Sequence, residues 1–293
     1  DHLIGVRTLA EAAGAQIGVK HIAGLAGVLH DLGKYTEAFQ MYIYRAVFQP
    51  SIPVKKGEID HSTAGGKLLY DLLHTGTIDR YRGILAEVAG NAIISHHAYL
   101  QDFLTPELDS QYLRRVRDKE IPDYEAAVER FFMDVMSRQA LDQYMTMAVT
   151  ELEQYLIRST ELSYENKLMF LTKYIFSALI DADRTDTRLF EEVKKDSSPV
   201  NNEQLFLTYY GKLLDRLRTY EANPHAHSPI NQLRREMSEQ CDEFASKPSG
   251  IYTLSIPTGG GKTLASLRYA LKHAIAHMKQ RIVYVVPCTT IIE

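Results

Sequence analysis

The sequence predicts a mainly α-helical domain followed by an incomplete α/β segment, and three patterns lead to this fold class. Between residues 3 and 221 the apolar residues recur at helical spacing, as in Leu168, Leu171, Ile175 and Leu179. Strand-like alternation is scarce in that stretch. Further along, two β-rich runs, 251–256 and 282–286, flank a glycine-rich turn and a helix that begins near Lys262.

The boundary between the two parts is predicted from prolines. The stretch Asn223 to Pro229 carries two prolines and interrupts the helical pattern, which is typical of a linker. We therefore expect a helical domain over residues 1–222, a linker over 223–229 and the start of a second domain over 230–293.

The composition is that of a folded globular protein, because hydrophobic residues make up 45% and charged residues 24% of the chain. A net charge of -4 gives no basic signature, so a nucleic-acid partner must be bound through local patches or metal ions. Cys241 and Cys288 form no CxxC pair, which argues against a thiolate zinc site and a disulfide framework. No apolar run approaches the ~20 residues of a membrane span, so we expect a cytoplasmic protein without a membrane partner.

The strongest chemical signal is the adjacent pair His30-Asp31, which follows an apolar helix and precedes Leu32-Gly33-Lys34. An imidazole nitrogen and carboxylate oxygens at one helix end can bind the same divalent cation. Further candidate ligands lie beside other apolar helical segments: His2, His61, His96, His97, Asp181 and Asp183. Because they are far apart in sequence, the site requires a helical fold that gathers them, as helical bundles do with ligands on facing helices.

Helical phase distinguishes Asp183 from Asp181. At about 100° per residue, the inward positions Ile175 and Leu179 continue to residue 183, whereas residue 181 lies about 200° from Leu179. Asp183 is therefore the expected ligand, and Asp181 is expected to contact a ligand without binding the metal itself.

The sequence phrases around these residues resemble the HD superfamily of metal-dependent phosphohydrolases. Segments 29–34 (LHDLGK), 60–65 (DHSTAG), 95–97 (SHH) and 181–184 (DADR) are similar to motifs of the HD nuclease domain of the type I CRISPR-associated helicase-nuclease. In that family the domain cuts single-stranded DNA, is joined to a superfamily 2 helicase and acts with the CRISPR surveillance complex Cascade. The resemblance implies a metal-dependent nuclease that cleaves single-stranded DNA in type I CRISPR interference.

Carried over residue by residue, the resemblance implies two metal sites that share Asp31. One ion would be bound by His2, His30, Asp31 and Asp183, and a second by Asp31, His61, His96 and His97. It also implies that Asp31 and Lys34 serve catalysis, with Lys34 at the scissile phosphate. Because the donors mix imidazole and carboxylate, one or two manganese, nickel, cobalt or iron ions fit better than magnesium.

The later glycine-rich turn, residues 256–263, lies between a predicted strand and a predicted helix, the order that a P-loop requires. Its backbone N–H groups can approach phosphate oxygens, and its lysine and threonine can contact the phosphates and a magnesium ion. The nucleotide-binding residues are then Gly259, Gly260, Gly261, Lys262 and Thr263.

This turn is similar to helicase motif I, and the segment 285–290 resembles the next helicase motif. We therefore expect the beginning of a RecA-like helicase domain that uses ATP with magnesium in a longer protein. We expect no ATPase or helicase activity from this chain itself, because the acidic motif and the second RecA-like domain that complete a motor are not found in it.

Two other functions stay open at this point. An HD phosphohydrolase acting on nucleotides would use the same ligands, although the attached P-loop favours the nuclease. A non-enzymatic, nucleotide-gated DNA-binding module would use the metal as a structural element whose coordination positions are all filled by protein.

A small basic cluster, Arg114, Arg115, Arg117 and Lys119, offers positive charge without a motif. We interpret it as a solvated helix face.

Overall fold

The computed structural model of the chain describes residues 2–49, 59–74, 79–158, 160–191 and 201–285. Within these residues the chain is mainly helical, in agreement with the sequence pattern. It divides into two compact units, Asp1–Lys194 and Lys195–Glu293.

The described residues of the first unit form α-helices joined by short turns. The helices are α1 (His2–Ala15), α2 (Lys20–Leu29), α3 (Glu37–Phe48), α4 (Thr63–Leu73), α5 (Arg80–Ser95), α6 (Gln111–Leu113), α7 (Tyr124–Asp134), α8 (Arg138–Ile157) and α9 (Tyr164–Glu191). A 3₁₀ turn, Leu32–Tyr35, follows α2, and a π-helical turn, Arg114–Asp118, continues α6.

Helix α2 forms the centre of this unit. Eight of its ten residues, from Ile22 to Leu29, are buried, because its sequence is apolar on all sides. It packs against α1, α5, α8 and α9. The residues that follow its last turn are enclosed as well, so that His30 and Asp31 are only 0% and 3% exposed.

Helix α4 approaches the same end of α2 closely. A Cβ atom on Gly65 would lie 2.0 Å from the carbonyl oxygen of Leu29, a distance that no other residue type allows. The glycine at this position therefore lets the start of α4, and the loop before it, reach the end of α2. His61 lies in that loop.

The described part of the second unit contains α10 (Asn202–Glu221), α11 (Pro229–Phe244) and α12 (Lys262–Ala276). Phe206 and Leu213 of α10 pack with Leu271 and Ala274 of α12. Because of this packing, α10 belongs to the second compact unit, whereas the sequence pattern placed residues 202–221 in the helical domain.

The β-rich runs behave differently from the expectation. Residues 251–256 and 282–285 are in no strand in the part of the chain that is described. A strand is stable only with a hydrogen-bonded neighbour, and Ile251 and Val285 are 101% and 88% exposed, without the packing of a sheet interior. Residue 286 and most of the segment 285–290 lie outside the described residues.

Among the described residues, every helix is too short or too polar to traverse a lipid bilayer.

Candidate metal centre

The structure brings the proposed ligands together at the buried end of α2. Each comes from an element boundary or a helix face: His2 begins α1, His30 and Asp31 follow α2, His61 precedes α4, His96 and His97 follow α5, and Asp183 lies on α9. Their ligand atoms form two groups, His2 with His30 and Asp183, and Asp31 with His61, His96 and His97.

The first group surrounds one oxygen of Asp31. Asp31 Oδ2 lies 3.2 Å from His30 Nε2 and 3.7 Å from His2 Nε2. Asp183 Oδ1 lies 3.3 Å from His2 Nε2 and 3.7 Å from His30 Nε2. Two imidazoles and two carboxylates therefore converge on one point.

The second group surrounds the other oxygen of the same carboxylate. Asp31 Oδ1 lies 3.5 Å from His96 Nε2 and 3.6 Å from His61 Nε2. The ring nitrogens His61 Nε2 and His97 Nε2 are 2.5 Å apart. Asp31 is thus shared by two groups of different composition, the second being rich in imidazole.

Hydrogen bonds on the far side of the rings set the direction of the histidines. His30 Nδ1 donates to the carbonyl oxygen of Gly27 at 2.8 Å, and His96 Nδ1 donates to that of Ile93 at 2.7 Å. Because a carbonyl only accepts, Nδ1 carries the proton in the neutral ring and Nε2 presents a lone pair to the centre.

His61 and His2 are held in the same manner. His61 Nδ1 lies 3.2 Å from the carbonyl oxygen of Ile59. His2 Nδ1 lies 2.7 Å from Asp186 Oδ2, which leaves its Nε2 directed at Asp31 and Asp183.

Three atoms at the centre are buried and make no hydrogen bond in the described part of the chain: His30 Nε2, His96 Nε2 and Asp31 Oδ1. An unsatisfied buried polar atom costs about 1–3 kcal/mol, so such a group calls for a partner. Divalent cations satisfy nitrogen lone pairs and carboxylate oxygens at once, and a mixed imidazole and carboxylate set suits first-row transition metals. The residues present therefore fit a divalent metal ion.

The first group is charged in the metal-free protein. Burial disfavours a charge on His30, but the adjacent carboxylates of Asp183 and Asp31 outweigh burial and raise its pKa to about 9. Burial also opposes the charged form of Asp31, yet the adjacent rings of His30 and His96 bring its pKa far below the usual range. The hydrogen bond to Asp183 raises the pKa of His2.

Two histidines of the second group, His61 and His97, are neutral instead. Burial, together with the neighbouring rings of His96 and His61, lowers the pKa of His97 to about 4. Burial likewise lowers the pKa of His61. At neutral pH these two rings carry the lone pair that metal binding requires.

Lys34, expected at a scissile phosphate, contacts Asp31 directly. Its Nζ lies 2.5 Å from Asp31 Oδ2, and its side chain is 39% exposed. Lys34 lies within the 3₁₀ turn Leu32–Tyr35, which begins directly after Asp31, so the two residues are one 3₁₀ turn apart. It therefore places a positive charge at the border between the centre and solvent.

Asp186 is a site residue that the sequence analysis missed. It lies three residues after Asp183 on α9, so both carboxylates reach the same side of the helix. A Cβ atom on Gly5 would lie 2.0 Å from Asp186 Oδ1, which shows that the glycine in α1 leaves room for this carboxylate. Asp181, in contrast, is exposed. The helical spacing of the phrase Asp183-Arg184-Thr185-Asp186 was the available signal.

Arg115 corrects the interpretation of the basic cluster. Its guanidinium is not a solvated helix face but contacts Asp60, Ser62 and Thr63 beside His61, and the carbonyl oxygen of Ile94. Arg117, two residues further on, is exposed and pairs with Asp118, as the interpretation requires.

The glycine-rich turn of the second unit has a backbone suited to phosphate binding. Gly259 and Gly261 have φ values of 79° and 83°, in the left-handed region that favours glycine, and α12 begins at Lys262. Lys262 and Thr263 are exposed. A cavity of about 610 Å³ adjoins Gly259 and Gly261 within this unit, and its lining includes Arg234, Arg235 and Arg268.

Helices that gather two histidine-rich groups around one adjacent His-Asp pair are the architecture of an HD-type metal-dependent hydrolase. The sequence model of the family described as Cas3, HD domain matches residues 5–166. This match spans more than half of the chain, and the chain belongs to that family. Members of this family are metal-dependent hydrolases of CRISPR systems and act as nucleases. No curated protein matches the chain significantly.

Proposed function

We propose that this chain is a nuclease that cleaves single-stranded DNA in type I CRISPR interference, with two divalent transition-metal ions bound around Asp31. One observation carries the proposal: the two oxygens of this carboxylate face two separate groups of ligands, and buried ligand atoms in both groups lack a hydrogen-bond partner among the described residues. Manganese, iron, cobalt and nickel suit this donor set.

In this proposal one ion is bound by Asp31, His2, His30 and Asp183, and the other by Asp31, His61, His96 and His97. When bound, paired divalent ions supply Lewis acidity at phosphoryl oxygens and lower the pKa of water. The ring hydrogen bonds of His30 and His96 hold their Nε2 atoms in place beforehand, so that little reorganisation accompanies binding.

Lys34 contributes a positive charge near the reacting phosphate. In the metal-free protein it neutralises Asp31, and its partial exposure allows its ammonium group to turn towards an incoming phosphodiester. His97 is exposed, so the second group of ligands opens to solvent, and a polymer strand needs such an opening. A buried structural metal site closed by protein would not have this opening.

The decisive experiment measures degradation of single-stranded DNA by the chain with manganese, with EDTA, and with nucleoside triphosphates as competing substrates. We expect degradation of DNA that requires the metal, and its loss in Asp31→Ala. Asp181→Ala, on the exposed face of α9, is the matched control. Hydrolysis of nucleotides without cleavage of DNA would instead favour an HD phosphohydrolase acting on nucleotides.

A second proposed function concerns the second unit, which we infer to be the beginning of a helicase domain that binds ATP with magnesium. It is supported by the left-handed Gly259 and Gly261 at the start of α12, beside an arginine-lined cavity. Binding of a fluorescent ATP analogue should require Lys262. Lys262→Ala should abolish it, and Lys279→Ala, an exposed change beyond the other end of α12, should not.

The resemblance also suggests that in a longer protein this helicase delivers single-stranded DNA to the centre, in partnership with the surveillance complex Cascade. Co-purification of the longer protein with that complex on target DNA tests this part of the proposal.

A further inference from the structure

His61 lies in a loop, whereas His30 and His96 directly follow the last turn of a helix. It lies in the loop before α4, outside any helix, and its Nδ1 contact with Ile59 is the longest of the four ring contacts described above. The direction of this ring therefore depends on how the loop is fastened to its surroundings.

Asp60 fixes the loop locally. Its carboxylate accepts hydrogen bonds from the backbone N–H groups of Ser62 and Thr63 at 3.0 and 3.3 Å, and from both hydroxyl groups. These contacts cap the start of α4.

Arg115 connects this loop to α5. Its Nη2 lies 3.2 Å from Asp60 Oδ1, 2.8 Å from Ser62 Oγ and 2.7 Å from Thr63 Oγ1. Its Nη1 donates to the carbonyl oxygen of Ile94 at 2.5 Å. Ile94 lies in the last turn of α5, directly before Ser95 and the ligands His96 and His97, so one guanidinium joins the two segments that carry the second group of ligands.

An arginine is needed for this connection. The planar guanidinium offers five N–H donors in fixed directions, and here Nε, Nη1 and Nη2 all have acceptors. A lysine ammonium offers three donors at one point and cannot span both sides. Lys119, whose Nζ lies 2.6 Å from Asp60 Oδ2, already occupies the outer side of the carboxylate.

The π-helical turn Arg114–Asp118 explains how this arginine reaches the interior. In this turn Val116 is buried, Arg115 is half-buried and Arg117 is exposed. Such turns are rare and occur frequently at functional sites, where they change the direction of a side chain.

We propose that Arg115 is a positioning residue for the half of the centre formed by His61, His96 and His97, through which the second metal ion is bound. The inference rests on the two-ion nuclease site proposed above. It predicts an asymmetric effect, because the other half is oriented by different contacts, those of His2 with Asp186 and of His30 with Gly27.

The test compares Arg115→Lys with Arg117→Lys, a matched change in the same turn whose side chain contacts only Asp118 among the hydrogen-bonded partners described. Manganese binding is followed by calorimetry and by electron paramagnetic resonance, which separates a coupled pair of ions from an isolated one. Circular dichroism and thermal melting without metal report the fold.

The wild type and Arg117→Lys should bind two ions. Arg115→Lys should retain one ion at wild-type affinity and bind the second about 10- to 100-fold more weakly, the usual effect of losing a contact behind a ligand. The signal of the coupled pair should decrease and that of the isolated ion should remain. Retention of two ions at unchanged affinity, or equal weakening of both together with a lower melting temperature, would overturn the proposal.

A second variant guards against a simple failure to fold. Arg115→Ala leaves a space of guanidinium size, so added ethylguanidinium should restore the second ion and ethylammonium should not. Equal restoration by both would reduce Arg115 to a positive charge and contradict the positioning role. A wild-type protein that binds at most one ion would remove the two-ion function itself, an outcome distinct from every result with the variants.

Discussion

Replacement of Asp31 by alanine is the most informative perturbation of the centre, because its two carboxylate oxygens face different groups of ligands. Oδ2 lies 3.2 Å from His30 Nε2 and 2.5 Å from Lys34 Nζ, while Oδ1 lies 3.5 Å from His96 Nε2. The side chain is buried, so bulk water does not readily replace it. Asp31→Ala should therefore weaken both proposed metal sites, whereas a change at any other proposed ligand should act on one of them.

The magnitude follows from the Lewis acidity that is lost. Polarisation of a phosphoryl oxygen by a metal ion contributes several kcal/mol, and a loss of about 3–5 kcal/mol slows the reaction about 10²- to 10⁴-fold. The metal-free fold should lose less, about 1.5–3 kcal/mol, because Asp31 makes a charge-assisted contact with the buried His30. Cleavage should thus fail under conditions in which the protein remains folded.

The assay measures the rate of single-stranded DNA degradation at saturating manganese, with thermal melting on the same preparations. Asp181→Ala serves as the control for the loss of a carboxylate at an exposed position. Degradation by Asp31→Ala at the rate of the wild type would show that the reaction takes place elsewhere, and the reasoning about the shared carboxylate would be refuted.

Four further predictions follow from the same geometry. Asp183→Ala should weaken manganese binding at least about 10-fold, while Asp181→Ala should leave the calorimetric titration unchanged. Manganese affinity should rise with pH up to about 9, because His30, with a raised pKa of about 9, must lose its proton to bind the ion. The stability of the metal-free fold should instead decrease with pH. The contribution of His30 to stability is complete below its unfolded pKa of 6.5 and disappears as the pH rises through 9. Melting without metal at a series of pH values measures this decrease. Gly5→Ala should leave the melting temperature equal or higher, because alanine favours a helix by about 0.5–1 kcal/mol. It should nevertheless weaken manganese binding, because the new Cβ atom displaces Asp186. Unchanged affinity would contradict the role of this carboxylate.

The helical phase of α9 was sufficient to predict from the sequence which of two carboxylates, Asp183 or Asp181, lies at the centre. The apolar series ending at Leu179 placed residue 183 on the inner face, and Asp183 lies at the centre while Asp181 is exposed. This inference succeeded because α9 is long and regular, so that the phase persists over several turns.

Helical phase could not identify a residue that positions a ligand instead of lying at the centre itself. Arg115 belongs to a cluster whose members look alike in sequence, and only the π-helical turn directs it to the interior while Arg117 remains in solvent. The prediction of strands was wrong for a related reason. The run 251–256 has the composition of a strand, but pairing is a property of two segments, and the described part of the chain offers it no neighbour.

The local structure at two helix ends explains why ligands occur there. The last carbonyl groups of a helix lack partners within the helix, and at the ends of α2 and α5 a histidine ring supplies one. His30 donates to Gly27 and His96 donates to Ile93, each to the carbonyl three residues before it. One hydrogen bond thereby satisfies the helix end, selects the tautomer and directs Nε2 towards Asp31. Because the same contact completes the helix and prepares the ligand, the two rings are held in the orientation that metal binding needs before any ion is bound.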